Sequence, residues 1–237
     1  MRIEEMTSVE FAKAVKKDPV IILPFGACEA HGPHLPLGTD CFQPEALADE
    51  VAERIGALVA PMVRYGNHGS TRNMPGTLGL RPETLKSLVT DLLHSLRRNE
   101  VSKVVVLTGH AGGQHMAAMK GACEEVARCS DMRIMFLCDY DIAYRLKGEM
   151  VDEGDGHGGN IETSRIMALR PELVKKKRGK GRYVSNEFMV TADPERFFPD
   201  GFVGDASKAT KERGERINKF VAEELSKLIV SNFGAMK

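Results

Sequence analysis

The chain has 237 residues, of which 42% are hydrophobic and 28% are charged, and its 33 basic side chains balance 33 acidic ones. Disordered chains combine low hydrophobicity with high net charge and dedicated nucleic-acid-binding domains are strongly basic, so this composition excludes the first class and disfavours the second. Because no apolar stretch reaches the roughly 18 residues of a membrane helix and the N-terminus lacks the apolar core of a signal peptide, the sequence predicts a cytoplasmic protein without a membrane partner.

Helix and strand patterns alternate along the first half of the chain. Thr7 and Glu10 form a capping box, which predicts the start of a helix, and Asp18-Pro19 ends that helix. A short continuous apolar run is typical of a strand that is buried on both faces. The elements predicted next are a strand at 20–24, a loop at 26–40, a helix at 45–55 and a strand at 57–63.

The second half continues the same alternation. Pro82 stands at the start of a long amphipathic helix. The elements predicted after it are a strand at 103–107, a tight turn at 108–113 opening a helix to about 129, a strand at 133–138, a helix at 160–169, an irregular or small-strand excursion at about 175–205 and a helix at 207–229. Apolar strands that alternate with helices predict a mostly parallel sheet covered by helices, so we expect one α/β domain over residues 1–237.

Imidazole, carboxylate and glycine residues gather where the predicted strands end, which is where open parallel sheets bind ligands. They are Glu29, His31, His34 and Asp40 after the first strand, His68 after the second, His110, Gly112 and Gly113 after the third, Asp139 and Asp141 after the fourth, and Asp155, His157 and Glu162 in or after the glycine-rich segment 154–159. Imidazole with carboxylate suits zinc, manganese or iron(II). The five cysteines form no C-x-x-C pair, so a structural zinc site is disfavoured. We therefore expect a catalytic metal site, with two metals bridged by one carboxylate as one form of it.

Two further segments carry weaker signals. Residues 154–159 match G-x-G-x-x-G, but they follow no apolar strand, so a dinucleotide site fails its structural context. The basic run at 175–182 is either a solvated loop or an anion contact, such as one to a substrate phosphate.

Five segments together resemble the creatininase (creatinine amidohydrolase) family, and they span about residues 21–215. The longest, Glu29-Ala-His31-Gly-Pro-His34-Leu-Pro-Leu-Gly-Thr-Asp40, is similar to the family's E-x-H-G-x-H-L-P-x-x-T-D loop, which follows a strand ending in P-x-G. The other four are 75–77 (PGT), 108–113 (TGHAGG), 157–164 (HGGNIETS) and 201–205 (GFVGD). Of these, TGHAGG is similar to the N-G-H-G-G-N turn of the family.

The resemblance implies a three-layer αβα sandwich with a two-metal hydrolase site, in a homo-oligomer that is often a hexamer. By motif position, Glu29 and His31 would each bind a metal and Asp40 would bridge the pair. His110 would be a further ligand, Glu162 would complete the site, and His157 would be the catalytic acid and base.

The sequence departs from the family pattern at places that bear on the substrate. Creatininase has a tyrosine and a glutamate after the histidine of the third-strand turn, where this chain has Ala111 and Gly112, so the fifth metal ligand lies open between Glu162 and another group. Creatininase also uses tryptophans around its substrate and this chain has none, which argues against creatinine.

The remaining candidates have more than one interpretation each. His34 either binds a metal itself, orients a ligand or supports its loop, and His68 either contacts substrate or belongs to a surface loop. Backbone N–H groups at Gly112 or Gly113 either hold an oxyanion or simply form a tight turn.

These patterns predict a metal-dependent amidohydrolase that uses two divalent ions per chain, zinc, iron(II) or manganese, to activate water against a small-molecule amide. The bond would be a non-peptide C–N bond of a cyclic amide or a formamide. Two alternatives stay open. One is a metal-dependent peptidase of a small modified peptide, and the other is a ligand-binding protein that kept the fold and lost catalysis.

Overall fold

The computed structural model describes residues 1–185 and 187–234. Its helices are α1 (Ser8–Val15), α2 (Thr39–Ile55), α3 (Pro82–Arg98), α4 (Gly113–Arg128), α5 (Tyr140–Ala143), α6 (Asn160–Leu169) and α7 (Lys211–Phe233). Its strands are β1 (Val20–Phe25), β2 (Leu58–Val59), β3 (Lys103–Thr108), β4 (Arg133–Cys138), β5 (Lys180–Gly181) and β6 (Gly204–Asp205). None of the helices in this part of the chain is long and apolar enough to cross a bilayer.

Strands β1 to β4 form one parallel sheet in the order β2-β1-β3-β4. Alternate residues of β1 and β3 point to opposite faces, as the two-residue period of a strand requires. One face packs on α2, α5 and α7 and the other on α1, α3 and α4, and each contact buries its own apolar cluster. The predicted three-layer αβα sandwich is therefore confirmed. Because all four strands are parallel, their carboxyl ends lie at the same edge of the sheet.

The second predicted strand is much shorter than its apolar run. Only Leu58–Val59 form a strand within the predicted range 57–63. The regular ladder ends after the N–H of Ala60 donates to the carbonyl of Ile22 at 2.8 Å, and Pro61, whose ring fixes its φ, follows directly. The chain nevertheless stays beside β1, since the N–H of Val63 donates to the carbonyl of Pro24 at 3.0 Å.

Helix α2 begins at Thr39 rather than at residue 45, so Asp40 lies in a helical first turn and not in the loop that the sequence predicts. Pro44 cannot donate to the carbonyl of Asp40, and the helix tolerates this missing bond close to its N-terminus. A carboxylate in the first turn of a helix is stabilised by the helix dipole. The predicted loop at 26–40 is therefore wrong at its end, because Thr39 and Asp40 are helical.

The C-terminal part differs in detail. Helix α7 begins at Lys211, after the side chain of Thr210 accepts from the N–H of Arg213, rather than at residue 207. The short helix α5 was not predicted. The excursion at 175–205 is confirmed as a two-stranded antiparallel ribbon of β5 and β6.

Candidate metal centre

Asp40 lies between two histidines at the carboxyl edge of the sheet. Its Oδ1 is 2.9 Å from Nε2 of His31, in the loop after β1. Its Oδ2 is 2.9 Å from Nδ1 of His110, directly after β3. All three side chains are buried. One carboxylate therefore reaches both imidazoles, which is the geometry expected of a bridging residue.

Two glutamates complete the cluster, one beside each histidine. Oε2 of Glu162, in the first turn of α6, is 3.2 Å from Nε2 of His31. Oε2 of Glu29 is 2.9 Å from Nδ1 of His110. We call the set His31, Asp40 and Glu162 the His31 half, and the set Glu29, Asp40 and His110 the His110 half.

Backbone carbonyls fix the orientation of the imidazoles. A carbonyl oxygen can only accept, so a ring nitrogen beside one must carry the proton and the opposite nitrogen of a neutral ring is bare. The pairs are Nδ1 of His31 with the carbonyl of Glu29 at 2.9 Å, Nε2 of His110 with that of Asn67 at 3.0 Å, and Nε2 of His157 with that of Ala30 at 2.8 Å. Histidines that bind metals donate their other N–H in this way.

The bare ring nitrogens face carboxylate oxygens, and two acceptors in contact need a proton or a cation between them. When no metal is bound, a proton lies between the nitrogen and the carboxylate. Burial alone would lower the pKa values of His31 and His110, but Asp40 and Glu29 raise them well above their usual range. Burial likewise favours a neutral Glu29, yet His110 and His157 hold the pKa of its carboxyl well below the ordinary value.

The donor set fits divalent metal ions. Bonds of about 2.1 Å to nitrogen and oxygen place neighbouring ligand atoms about 3.0–3.6 Å apart, and the contacts of the cluster are 2.9–3.2 Å. Oε2 of Glu29 is buried, and beyond its contact with Nδ1 of His110 it has no hydrogen-bond partner within the described chain. Ligand atoms of His31, Asp40 and Glu162 also lie within 4.8 Å of one another. Imidazole with carboxylate is a donor set of zinc, iron(II) and manganese.

His157 stands at the rim of the cluster. Its side chain is 20% exposed, and its Nδ1 is 4.0 Å from Oε2 of Glu29. Its ring lies beside that of His31, with centroids 4.0 Å apart, and the ring of Phe198 packs against it from outside. His157 is thus more exposed than His31 or His110 and lies between the buried carboxylates and the opening.

The opening is a cleft of about 240 Å³. Its floor includes Glu29, Asp40, His110 and Glu162, and its walls carry the aromatic rings of Tyr140, Tyr144 and Phe198. These three rings could not be predicted from the sequence, because nothing in their spacing distinguishes them from core residues.

His34 does not join the cluster. Its Nε2 donates to the carbonyl of Gly158 at 2.9 Å and lies 3.0 Å from Oγ1 of Thr163. It therefore ties the loop after β1 to the segment that carries His157. Of metal binding, orientation of a ligand and loop support, loop support is the interpretation that its contacts favour.

Gly112 leaves room for His110. A Cβ at Gly112 would lie 2.5 Å from Nε2 of His110, whereas one at Gly113 would meet no described atom within 4 Å. Both glycines line the cleft. Their contribution to oxyanion binding stays a prediction.

Gly26 and Gly109 allow the ends of β1 and β3 to approach the backbone of α2 closely. A Cβ at either glycine would lie 2.4 Å from the carbonyl oxygen of Asp40, so the ends of β1 and β3 pack directly on the backbone of α2. Only the folded chain brings these segments together, so no local sequence signal could show this.

His68 lies closer to the cluster than a surface loop would. Its side chain is 1% exposed, and its Nδ1 is 3.6 Å from Oε1 of Glu29. The hydroxyl of Thr71 donates to the same carboxylate oxygen. This loop after β2 therefore contacts the His110 half, a contact that the sequence did not specify.

The aspartates after β4 and in the glycine-rich segment make structural contacts. Asp139 pairs with the buried Arg165 at 2.8 Å, and Asp141 accepts from the N–H of Cys138 at 2.9 Å. Asp155 accepts from backbone N–H groups at the start of α6. These interactions stabilise the segments that present the cluster.

Comparisons with known proteins match the chain over residues 4–229 to the family described as creatinine amidohydrolase. Creatinine amidohydrolase of Pseudomonas putida is 31% identical over 97% of this chain and 96% of its own. The mycofactocin precursor peptide peptidase of Mycolicibacterium smegmatis is 28% identical over 84% of this chain and 79% of its own.

Solved creatininase structures align over nearly the whole chain. A structure described as creatininase with manganese has a TM-score of 0.86 at 29% identity and covers 98% of each chain. A mutant creatininase of the Zn-Zn type has a TM-score of 0.84 at 28% identity, again over 98% of each.

Proposed function

The chain belongs to the creatininase family of amidohydrolases, and on that premise we propose that it hydrolyses a non-peptide C–N amide bond in a small cyclic amide or formamide. The observation that carries this proposal is the position of Asp40 between His31 and His110. A second carboxylate contacts the same ring nitrogen of each histidine, Glu162 at His31 and Glu29 at His110, which makes two three-ligand halves with Asp40 in common.

Each half would hold one divalent ion, through His31, Asp40 and Glu162 on one side and Glu29, Asp40 and His110 on the other. When bound, such ions polarise a carbonyl and lower the pKa of bound water from about 16 towards 7. Zinc, iron(II) and manganese all suit this donor set. Three protein ligands per ion leave room for water or substrate, as catalytic sites require.

His157 is the proton carrier in this proposal. Its Nε2–H is held by the carbonyl of Ala30, so its Nδ1 is the nitrogen that takes up and releases a proton. That atom faces Glu29 at 4.0 Å and borders the cleft. His157 can therefore accept a proton from the attacking water and return it to the departing amine, since general acid–base catalysis needs this reach.

The cleft favours a compact substrate. Its volume of about 240 Å³ lies below the roughly 300–1,000 Å³ that is typical of sites for drug-sized ligands. Gly112 and Gly113 line it, and we propose that their backbone N–H groups stabilise the oxyanion of a tetrahedral intermediate. The aromatic lining residues of the cleft are Tyr140, Tyr144 and Phe198, and the chain has no tryptophan, which supports an amide other than creatinine.

A phosphorylated amide is a narrower form of the proposal. The basic run 175–182 motivates it, but in the described part of the chain no lysine or arginine lines the cleft. An unphosphorylated substrate is therefore favoured.

We also propose a homo-oligomer, with a hexamer as the expected form; sedimentation of a single monomeric species would refute it.

Substrate screening of one metal-analysed sample tests the proposal. The purified protein should contain divalent metal by elemental analysis and should hydrolyse at least one member of a formamide and lactam panel. Asp40→Ala should lose both metal and turnover, because Asp40 serves both halves. Full activity of Asp40→Ala would refute the metal mechanism.

Peptide hydrolysis is the second candidate, because the mycobacterial relatives are precursor peptide peptidases. Short peptides belong in the same screen, and cleavage of peptides with no hydrolysis of formamides or lactams would favour this candidate. A ligand-binding protein without catalysis is the third. It predicts poor metal occupancy after purification without chelators, which two tightly bound ions per chain would contradict.

A further inference from the structure

We propose that His68 is a fourth protein ligand in the His110 half, so that the two metal positions differ in affinity and in metal preference. This inference rests on the proposed two-metal function and deepens it. Ligand atoms of Glu29, His68 and His110 lie within 4.8 Å of one another, and all three residues are buried.

The orientation of His68 matches that of the other cluster histidines. Its Nε2 faces the carbonyl of Leu78 at 3.4 Å, which leaves Nδ1 as the bare nitrogen. That Nδ1 is buried without a hydrogen-bond partner within residues 1–185 and 187–234. It lies 3.6 Å from Oε1 of Glu29, at the upper end of the spacing of about 3.0–3.6 Å expected for two ligands of one metal.

The surrounding backbone makes space for this ring. A Cβ at Gly79 would lie 2.8 Å from Cδ2 of His68, so the neighbouring strand-like segment accommodates the imidazole only because it has glycine there. The preceding residue, Asn67, holds His110 through its carbonyl at 3.0 Å. One loop therefore both orients His110 and presents His68.

His115 shows that burial near the cluster is not enough. Its ring lies 4.8 Å from that of His110, but both of its nitrogens are occupied. Nδ1 accepts from the N–H of Asn67 at 3.2 Å, and Nε2 lies 3.0 Å from Oγ1 of Thr108. His115 is thus a matched control, a buried histidine of the same region with no nitrogen available for a metal.

The extra imidazole makes the two halves unequal. With His68, the His110 half has two imidazoles and two carboxylates, whereas the His31 half has one imidazole and two carboxylates. Imidazole favours zinc and iron over manganese and magnesium, and sites with four protein ligands are closed. The His110 half should therefore bind zinc first and most tightly, and the His31 half should keep the open position for water.

Zinc titration of the metal-free protein against a competing chromophoric chelator tests this inference. Wild type should bind zinc in two resolved phases. His68→Ala should weaken the tighter phase by at least ten-fold, in line with the roughly 10–100-fold cost of losing even an outer partner of a metal ligand. His115→Gln should leave both phases unchanged. Free imidazole, which can fill the space left in His68→Ala, should restore the tighter phase.

A spectroscopic readout separates ligation from a structural effect. The visible absorption of the cobalt(II)-loaded protein should change in His68→Ala and return towards wild type with imidazole, whereas urea midpoints of the metal-free proteins should show whether either variant is unfolded. If His68→Ala is unfolded, His68→Gln takes its place, since it keeps a polar side chain of similar reach.

The outcomes distinguish this inference from the function on which it rests. Wild type that binds two zinc ions while the folded His68 variant binds them equally well would overturn the role of His68 alone. Wild type that binds no metal would instead refute the proposed function. Weakening in His115→Gln equal to that in His68→Ala would also overturn the inference, because it would show a general effect of disturbing this region.

Discussion

Gly109→Ala should damage the metal centre through the backbone rather than through a ligand. The new Cβ would lie 2.4 Å from the carbonyl oxygen of Asp40 and 2.6 Å from Cδ of Pro44. Gly109 does not have a positive φ, so conformational strain at residue 109 itself is not the cause. The close approach of β3 to the first turns of α2 is what the alanine disturbs.

The size of the displacement follows from these contacts. Ordinary contacts of a Cβ begin at about 3.4 Å, so β3 and α2 must separate by about 1 Å to relieve a contact of 2.4 Å. Overpacking of this kind costs about 1–3 kcal/mol, and each kcal/mol lowers Tm by about 2–4 °C in a chain of this size. Functional geometry tolerates only about 0.5 Å, so Asp40 would move out of reach of one or both metals.

Two measurements check this prediction, with Gly113→Ala as the control. Gly109→Ala should have a lower Tm and at least ten-fold weaker metal affinity in a chelator titration. Gly113→Ala, whose Cβ meets no atom of the described chain within 4 Å, should keep wild-type metal content and unchanged or slightly higher stability. If Gly109→Ala keeps its metal affinity, the packing of β3 on α2 does not position Asp40.

Two further predictions concern packing and pH. Gly214→Ala should destabilise the protein by at least about 3 kcal/mol, because its Cβ would lie 1.8 Å from the carbonyl oxygen of Ser164. Gly121→Ala in α4 should instead stabilise the protein by about 0.5–1 kcal/mol. Similar urea unfolding midpoints for the two variants would contradict this prediction. In the metal-free protein, the pKa values of His31 and His110 are raised, so folding takes up protons. Protonation of these two histidines therefore contributes fully to the free energy of unfolding below about pH 6.5, and this contribution is lost as pH rises through the raised pKa values. The urea midpoint of metal-free protein should therefore fall from pH 6.5 to pH 9, and a midpoint that rises over this range would refute the protonated cluster.

The strands and most helices could be predicted from the sequence because each depends on local pattern. Continuous apolar runs identified β1 and β3, which are buried on both faces. Candidate residues such as Glu29 and His110 could also be placed, since they directly follow those strands. Parallel strands bring their ends together, so position after a strand was enough to gather these side chains.

Features that depend on contacts distant in sequence could not be predicted. The helical start before Pro44 contradicts the usual local rule for proline, and the tertiary environment overrides it. The packing of Gly26 and Gly109 on Asp40 joins segments that local patterns treat separately. His68 follows only a two-residue strand, and its burial results from the later segment around Gly79 that covers it.

In the proposed site, Glu162 of α6 would supply the carboxylate that is absent at Gly112. A side chain at residue 112 would collide with His110 in its present orientation, because a Cβ would lie 2.5 Å from Nε2. Glu162, from α6, instead faces Nε2 of His31 at 3.2 Å, and the N–H of Gly158 donates to the same carboxylate oxygen at 2.9 Å. The Glu162 carboxylate is therefore held in place without metal by a backbone contact.

Glu162 also connects the His31 half to the glycine-rich segment before α6. Nε2 of His34 donates to the carbonyl of Gly158, and the N–H of Gly158 donates to the carboxylate of Glu162. Asp155 secures the same segment by accepting from the backbone N–H groups that begin α6. The proposed ligand Glu162 therefore depends on the same short loop that carries His157. Disturbing this loop should affect metal retention and proton transfer together, whereas a disturbance of the loop around His68 should affect metal retention first.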